Sequence, residues 1–254
     1  MIFDSHAHYD DKAFDIDRDA LIPQLFSSGI CGIINVGCNL KTSAMSVDLS
    51  KKYPLIWATV GIHPHEAENV PKNYLDTLKD YLSDKKVVAI GEIGLDYHYD
   101  FSPREVQKKV FEDQLKLAKE LDFPVIIHCR EAYADTLELL QKYKPSGVVH
   151  CFSGSVEVAQ EIINLGMYIG LGGVVTFKNA KNPVLVAKTA PIDRILLETD
   201  CPYMAPVPHR GKRCDSSLIK FTAEKIATER GFSVNELLSA ATQNVYELFP
   251  KING

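Results

Sequence analysis

Alternation is the feature of this chain that leaves the fewest folds open. Eight short runs rich in β-branched residues, at 2–6, 32–37, 56–62, 87–93, 124–129, 147–151, 167–171 and 194–200, are separated by longer amphipathic segments such as 19–28, 103–121 and 132–143. Near-continuous apolar strands joined by helices read as parallel strands covered on both faces. Eight such units in 254 residues predict an α/β fold of the (β/α)8 TIM-barrel type. Two further helices, 216–230 and 233–249, follow the eighth strand. An open doubly wound sheet is the rival arrangement, but no G-x-G-x-x-G follows the first strand. With no Ser/Gly linker, low-complexity run or charge block, residues 1–254 are expected to form a single domain.

In such a barrel the C-terminal strand ends converge on one mouth, where enzymes of this fold keep their sites. The first strand ends His6-Ala7-His8, the fourth carries Gly91-Glu92-Ile93-Gly94, the fifth ends at His128, the sixth at His150 and the eighth at Asp200. Alternation turns His6 and His8 to the same, inward side and Ala7 toward the helices. Any one of these imidazoles, read alone, is a core histidine satisfied by hydrogen bonds. Four histidines and two carboxylates from five strand ends are a different matter, because such a cluster is costly to desolvate without a cation. Six ligands exceed one tetrahedral zinc and suit two divalent ions, each with an open position. The arrangement expected is His6, His8 and Asp200 on the first ion, His128 and His150 on the second, and Glu92 between them.

Composition narrows the partners. The net charge is −5, so the chain is not one that coats nucleic acid by bulk electrostatics, and a phosphate-bearing partner must be held locally. The six cysteines are dispersed, with no C-x-x-C pair, as expected of free thiols in a reducing compartment. No apolar run approaches the ~18 residues of a membrane span, and the chain opens without a secretory signal pattern; the expected address is the cytoplasm, with no membrane and no obligate protein partner.

The ordered motifs Asp4-Ser5-His6-Ala7-His8, Gly61-Ile62-His63-Pro64-His65, Gly91-Glu92-Ile93-Gly94-Leu95-Asp96-Tyr97, Ile127-His128-Cys129-Arg130, His150-Cys151-Phe152-Ser153-Gly154 and Glu198-Thr199-Asp200-Cys201-Pro202-Tyr203, followed by the segment 205–213, resemble the TatD-type metal-dependent deoxyribonucleases of the amidohydrolase superfamily across essentially the whole chain. The resemblance implies a TIM-barrel hydrolase with two divalent ions, magnesium, manganese or zinc, that cleaves phosphodiesters at DNA ends, exonucleolytically on single strands. It also implies that Asp200 both binds an ion and accepts the proton of the attacking water, and that Ser153 contacts substrate. The chain departs from the family pattern at Cys201 and Cys214, where Ser and Asn are more usual, and at His98-Tyr99-Asp100, near which an Arg is common.

Supporting roles follow from position. His63, at the end of the third strand, is expected to donate to a phosphate oxygen or the leaving group, or else to orient the Pro64 turn. Arg130, two residues beyond His128, either forks onto a phosphate or pairs with Asp96 or Glu131. Glu198 orients a ligand one layer below Asp200, His65 opens the next helix, and His98 lies on a surface loop. The run His209-Arg210-Gly211-Lys212-Arg213 holds the densest positive charge, and Arg210 and Lys212 at the rim would draw in an anionic substrate. Cys129 and Cys151 are expected to point outward beneath the helices, leaving no cysteine beside an inward histidine. The alternative activity is hydrolysis of a small-molecule amide, lactone or phosphoester by the same metals; a metal-loaded scaffold is the non-enzymatic reading.

Overall fold

A computed structural model describes residues 1–253 of the chain. Its regular elements alternate as β1 (Ile2–Ala7), α1 (Arg18–Ser27), β2 (Ile30–Val36), α2 (Leu40–Lys52), β3 (Ile56–Val60), α3 (Tyr74–Leu82), β4 (Val87–Asp96), α4 (Arg104–Leu121), β5 (Val125–Arg130), α5 (Tyr133–Tyr143), β6 (Gly147–Val149), α6 (Val156–Asn164), β7 (Tyr168–Leu171), α7 (Lys181–Thr189) and β8 (Ile195–Leu197), followed by α8 (Ile219–Arg230) and α9 (Val234–Leu248). The strands form one parallel sheet in the order β1 to β8, a nearly closed TIM barrel with helices outside it. The seam between β8 and β1 has a single bridge, Ala7 to Cys201, and side chains complete it. Ser5 Oγ donates to the Leu197 carbonyl at 3.0 Å, and the Thr199 hydroxyl donates to Asp4 Oδ2 at 2.7 Å.

Strands buried on both sides need two cores. The outer one joins the strands to the helices: Ile90, Ile93 and Leu95 of β4 pack with Val110, Phe111 and Leu115 of α4. The inner one gathers Phe3, Ile34, Val88, Ile126, Val148, Tyr168 and Leu196, one side chain from each of seven strands, against Val245, Leu248, Phe249 and Ile252. Most of these lie early in their strands, so the C-terminal segment plugs the N-terminal end of the barrel and leaves the other end open for a site.

Local chemistry sets where the helices begin. Asn39 with Thr42, and Ser233 with Glu236, form reciprocal caps on α2 and α9. On α4, Gln107 and Gln114 are seven residues apart and so lie on one face. Gln114 accepts from the Ile62 N–H at 2.8 Å and donates to the Ile62 carbonyl at 3.1 Å; Gln107 treats Asp96 the same way, at 2.9 and 3.1 Å. Thus α4 clips the chain leaving β3 and β4 just where it turns into the mouth.

Several strands are shorter than their sequence suggests. β3 stops at Val60 rather than 62, β6 at Val149 rather than 151, and β8 at Leu197 rather than 200, while β7 begins at Tyr168 rather than 167. His150 and Asp200 therefore stand on turns, Asp200 with a left-handed φ of 61°. The outermost helix expected at 216–230 begins as a 3-10 turn, Ser216–Leu218, before α8.

Candidate metal centre

Glu92 lies at the middle of the mouth, 3% exposed, and its two oxygens face opposite groups of nitrogen donors. Oε2 is 3.5 Å from His6 Nε2 and 3.8 Å from His8 Nε2. Those two nitrogens are 3.1 Å apart, and Asp200 Oδ1 is 3.7 and 3.3 Å from them. Oε1 is 2.7 Å from His150 Nε2 and 3.0 Å from His128 Nδ1, which are 3.4 Å from each other. Donors 2.0–2.1 Å from a tetrahedral ion are separated by about 3.4 Å, so the first group, at 3.1–3.8 Å, has the spacing of a divalent ion's ligand shell, as does the His128–His150 pair at 3.4 Å, whereas the contacts of that pair to Oε1 are at hydrogen-bond distance.

Hydrogen bonds to the far side of each ring decide which nitrogen is free to bind. His8 Nδ1 lies 3.0 Å from the Val36 carbonyl, which can only accept, so Nε2 carries the lone pair. It faces His6 Nε2 at 3.1 Å, a separation that two ligands of one divalent ion can have. His128 Nε2 donates to Asp96 Oδ2 at 3.0 Å, leaving Nδ1 for a metal, a carboxylate–histidine–metal relay. His63 is different. Its Nδ1 accepts the His65 N–H at 3.1 Å, so the neutral ring holds its proton on Nε2, 3.6 Å from Glu92 Oε1. Although His63 shares a cluster with Glu92 and His128, this tautomer makes it a hydrogen-bond donor and not a ligand.

The electrostatics agree. Burial works against a charged Glu92, but His150, His63 and His128 outweigh it and hold its carboxyl well below the usual range. Burial likewise opposes ionisation of Asp200, and His8 and His6 overcome it. Both are carboxylates, as ligands must be. Burial also works against charging His150, yet Glu92 and Glu198 raise its proton affinity well above normal. The pocket thus favours positive charge. Burial pushes His63 far the other way, so it stays neutral.

The structure brings His6, His8, Glu92, His128, His150 and Asp200 to this one centre, with His63 against it. Glu198 is not one layer below Asp200 on a strand. Its Oε1 accepts the Cys151 N–H and lies 3.7 Å from His150 Nδ1, behind the ring, where it can orient it. Gly170 makes room for it, since a Cβ there would sit 2.4 Å from Glu198 Oε2. Arg130 pairs with neither Asp96 nor Glu131; its guanidinium lies 4.7 Å above the Tyr99 ring, and among the described residues no carboxylate is within ion-pair distance of it. Ser153 is exposed, its hydroxyl 3.3 Å from that of Tyr133. Arg210 and Lys212 are exposed too, Arg210 stacked 3.7 Å over Phe177, whereas Arg213 of the same loop is tied to Asp17 at 2.6 Å. His65 sits in the 3-10 turn Pro64–Asn69 with its Nε2 3.0 Å from Asp96 Oδ2, and His98 is a surface residue on Glu131.

Two cysteine expectations need correction. Cys129 does point outward, toward Thr136 of α5. Cys151 does not: beyond the end of β6 its φ is 43°, alternation no longer applies, and its thiol, in a partly buried residue, is pushed up by burial and by Asp200, Glu198 and Glu92. A thiol does stand beside an inward histidine. Cys38 Sγ is 3.6 Å from Glu92 Oε2 and 3.9 Å from His8 Nδ1, but burial pushes it up to about 12, so it is no thiolate nucleophile. The sequence offers Asp96 only as a partner for Arg130, whereas its Oδ2 meets both His128 and His65. The available signal was its place four residues after Glu92, on the same side of β4.

The profile of a family described as TatD related DNase matches residues 3–250. YabD of Bacillus subtilis, an uncharacterized metal-dependent hydrolase, is 41% identical over 252 residues, covering 98% of this chain and 99% of that protein. A 3'-5' ssDNA/RNA exonuclease TatD of Escherichia fergusonii is 32% identical over 98% of each. Among solved structures, YJJV, a TatD homolog from Escherichia coli K12, superposes with a TM-score of 0.92 at 31% identity over 98% of both chains.

Proposed function

The chain belongs to the TatD-related DNase family and is a metal-dependent hydrolase; from that premise we propose that it is a deoxyribonuclease that removes nucleotides from the ends of single-stranded DNA using two divalent ions. The observation that carries this reading is the Glu92 carboxylate, with one oxygen toward His6, His8 and Asp200 and the other toward His128 and His150. A bridging carboxylate between two donor groups suits the paired ions of phosphodiester hydrolysis. The name of the Escherichia fergusonii relative supports single strands as substrate.

When bound, magnesium, manganese or zinc would neutralise charge on the phosphoryl oxygens and activate the attacking water. The protein's own residues do the rest. Asp200, anionic and at the rim of the first donor group, accepts the water's proton. His63 keeps its proton on Nε2 and donates a hydrogen bond to a phosphoryl or leaving oxygen; being neutral, it stabilises charge without giving the proton up, and the proton taken by Asp200 passes to the departing oxygen as its bond to phosphorus breaks. Asp96 and Glu198 orient His128 and His150. Arg130 and Ser153 contact the substrate near the centre, and Arg210 and Lys212 draw its backbone to the rim. Residues 1–254 act as a single domain in this reading.

Oligonucleotides labelled at the 5′ or the 3′ end, incubated with the protein in each of the three metals and with a chelator, test it directly. Stepwise shortening from one end that stops on chelation is the expected result. Intact DNA in every metal, with a small amide, lactone or phosphoester hydrolysed instead, overturns it.

A further inference from the structure

The rings of the centre continue outward. His128 stands 4.5 Å from His63 and 6.2 Å from His65, centroid to centroid. His65 in turn meets two aromatic side chains of the loop after β4, Tyr99 at 5.5 Å and Phe101 at 4.8 Å. Those two lie stacked on one another, 5.2 Å apart and 20° from parallel, with Arg130 over Tyr99. Exposure rises along the series, from half-buried Arg130 to Tyr99 at 49% and Phe101 at 64%.

A solvent-facing pair of large rings is poorly explained by stability, since neither ring buries enough surface to contribute much. Nor is the loop loose. Asp96 Oδ1 accepts the N–H groups of His98 and Tyr99, at 3.0 and 2.8 Å, while its Oδ2 meets His128 and His65. Arg104 forks onto Asp100 at 2.6–3.0 Å. One carboxylate therefore holds Tyr99, on which Phe101 stacks, and a proposed metal ligand in fixed relation. A flat aromatic face, a guanidinium free of carboxylates and a nearby phosphodiester centre together match one unit of an unpaired strand: the base on the ring, its phosphate toward the cation. In a duplex an interior base is stacked on both faces and paired at its edge, and offers no such face.

We propose that Phe101, backed by Tyr99, is a stacking platform for the nucleobase next to the scissile phosphate. This rests on the nuclease reading above. The test compares natural single strands with strands carrying abasic residues at the terminal two positions, on the wild-type protein and on Phe101→Ala, Tyr99→Ala and Phe101→Tyr. Removing the bases should raise the wild-type KM by about 5- to 150-fold, the range for loss of one base–aromatic stack. Phe101→Ala should raise KM for the natural strand by a similar factor, with kcat little changed, and should add nothing on the abasic strand. Phe101→Tyr should restore the lower KM. Cleavage by the wild type that is indifferent to the abasic substitution overturns the platform and leaves the nuclease intact, a result that needs no variant. Additive losses overturn it as well, as does a change in sedimentation on Phe101→Ala with KM unmoved, which would mark a contact between copies. No cleavage of any strand in any metal overturns both readings.

Discussion

At the scale of single residues, the centre is ordered by what lies behind each imidazole. A carbonyl behind His8 and a carboxylate behind His128 aim one ring nitrogen inward, whereas a backbone N–H on His63 turns a proton inward. The same side chain can thus offer the centre a lone pair or a proton according to one hydrogen bond. Asp200 carries the sharpest consequence. Asp200→Asn removes the anion proposed to take the proton but keeps the shape, so kcat should fall roughly 10²–10⁴-fold, with the circular dichroism and cooperative unfolding of the chelated protein preserved. Turnover within a few-fold of wild type would remove Asp200 from that role.

Among the elements, α4 has work beyond covering the barrel. Gln107 and Gln114 reach from one helical face to the backbone at Asp96 and Ile62, where no strand neighbour is available to pair it. Gln114→Ala would orphan a buried N–H and a buried carbonyl beside His63. The expected cost is about 1–3 kcal/mol for each group left unsatisfied, read as a lower denaturant midpoint at unchanged m-value. Activity should drop further than stability, because the turn presenting His63 loosens. Gly94 shows the same economy of space: its φ is 145°, and a Cβ there would lie 1.9 Å from the His128 carbonyl oxygen, so only glycine lets β4 run this close to β5.

On the scale of the whole molecule, one end of the barrel is sealed by the C-terminal segment and the other gathers the charge. The chain is acidic overall, yet Arg210 and Lys212 stand without a carboxylate partner among the described residues. If they steer a polyanion, Arg210→Gln with Lys212→Gln should weaken single-strand binding. The dependence of log affinity on log salt should flatten by about 0.7 for each charge removed. An unchanged slope, measured by fluorescence anisotropy between low and moderate salt, would show that the loop does not touch the strand. No helix among the described residues is long and apolar enough to cross a membrane.

The repeated apolar runs made the barrel legible without coordinates, because a strand buried on both faces has few other ways to be covered. The donors of the centre were legible too, since histidines and carboxylates at successive strand ends have one place to meet. What alternation could not reach was everything past the last laddered residue. Where β6 and β8 stop early, turns rather than pleats aim His150, Cys151 and Asp200. Nor could sequence spacing pair Asp96 with two histidines, bring Cys38 beside Glu92, or separate ligand from proton donor. Those outcomes depend on hydrogen bonds between segments tens of residues apart, and only the closed barrel decides which of them form.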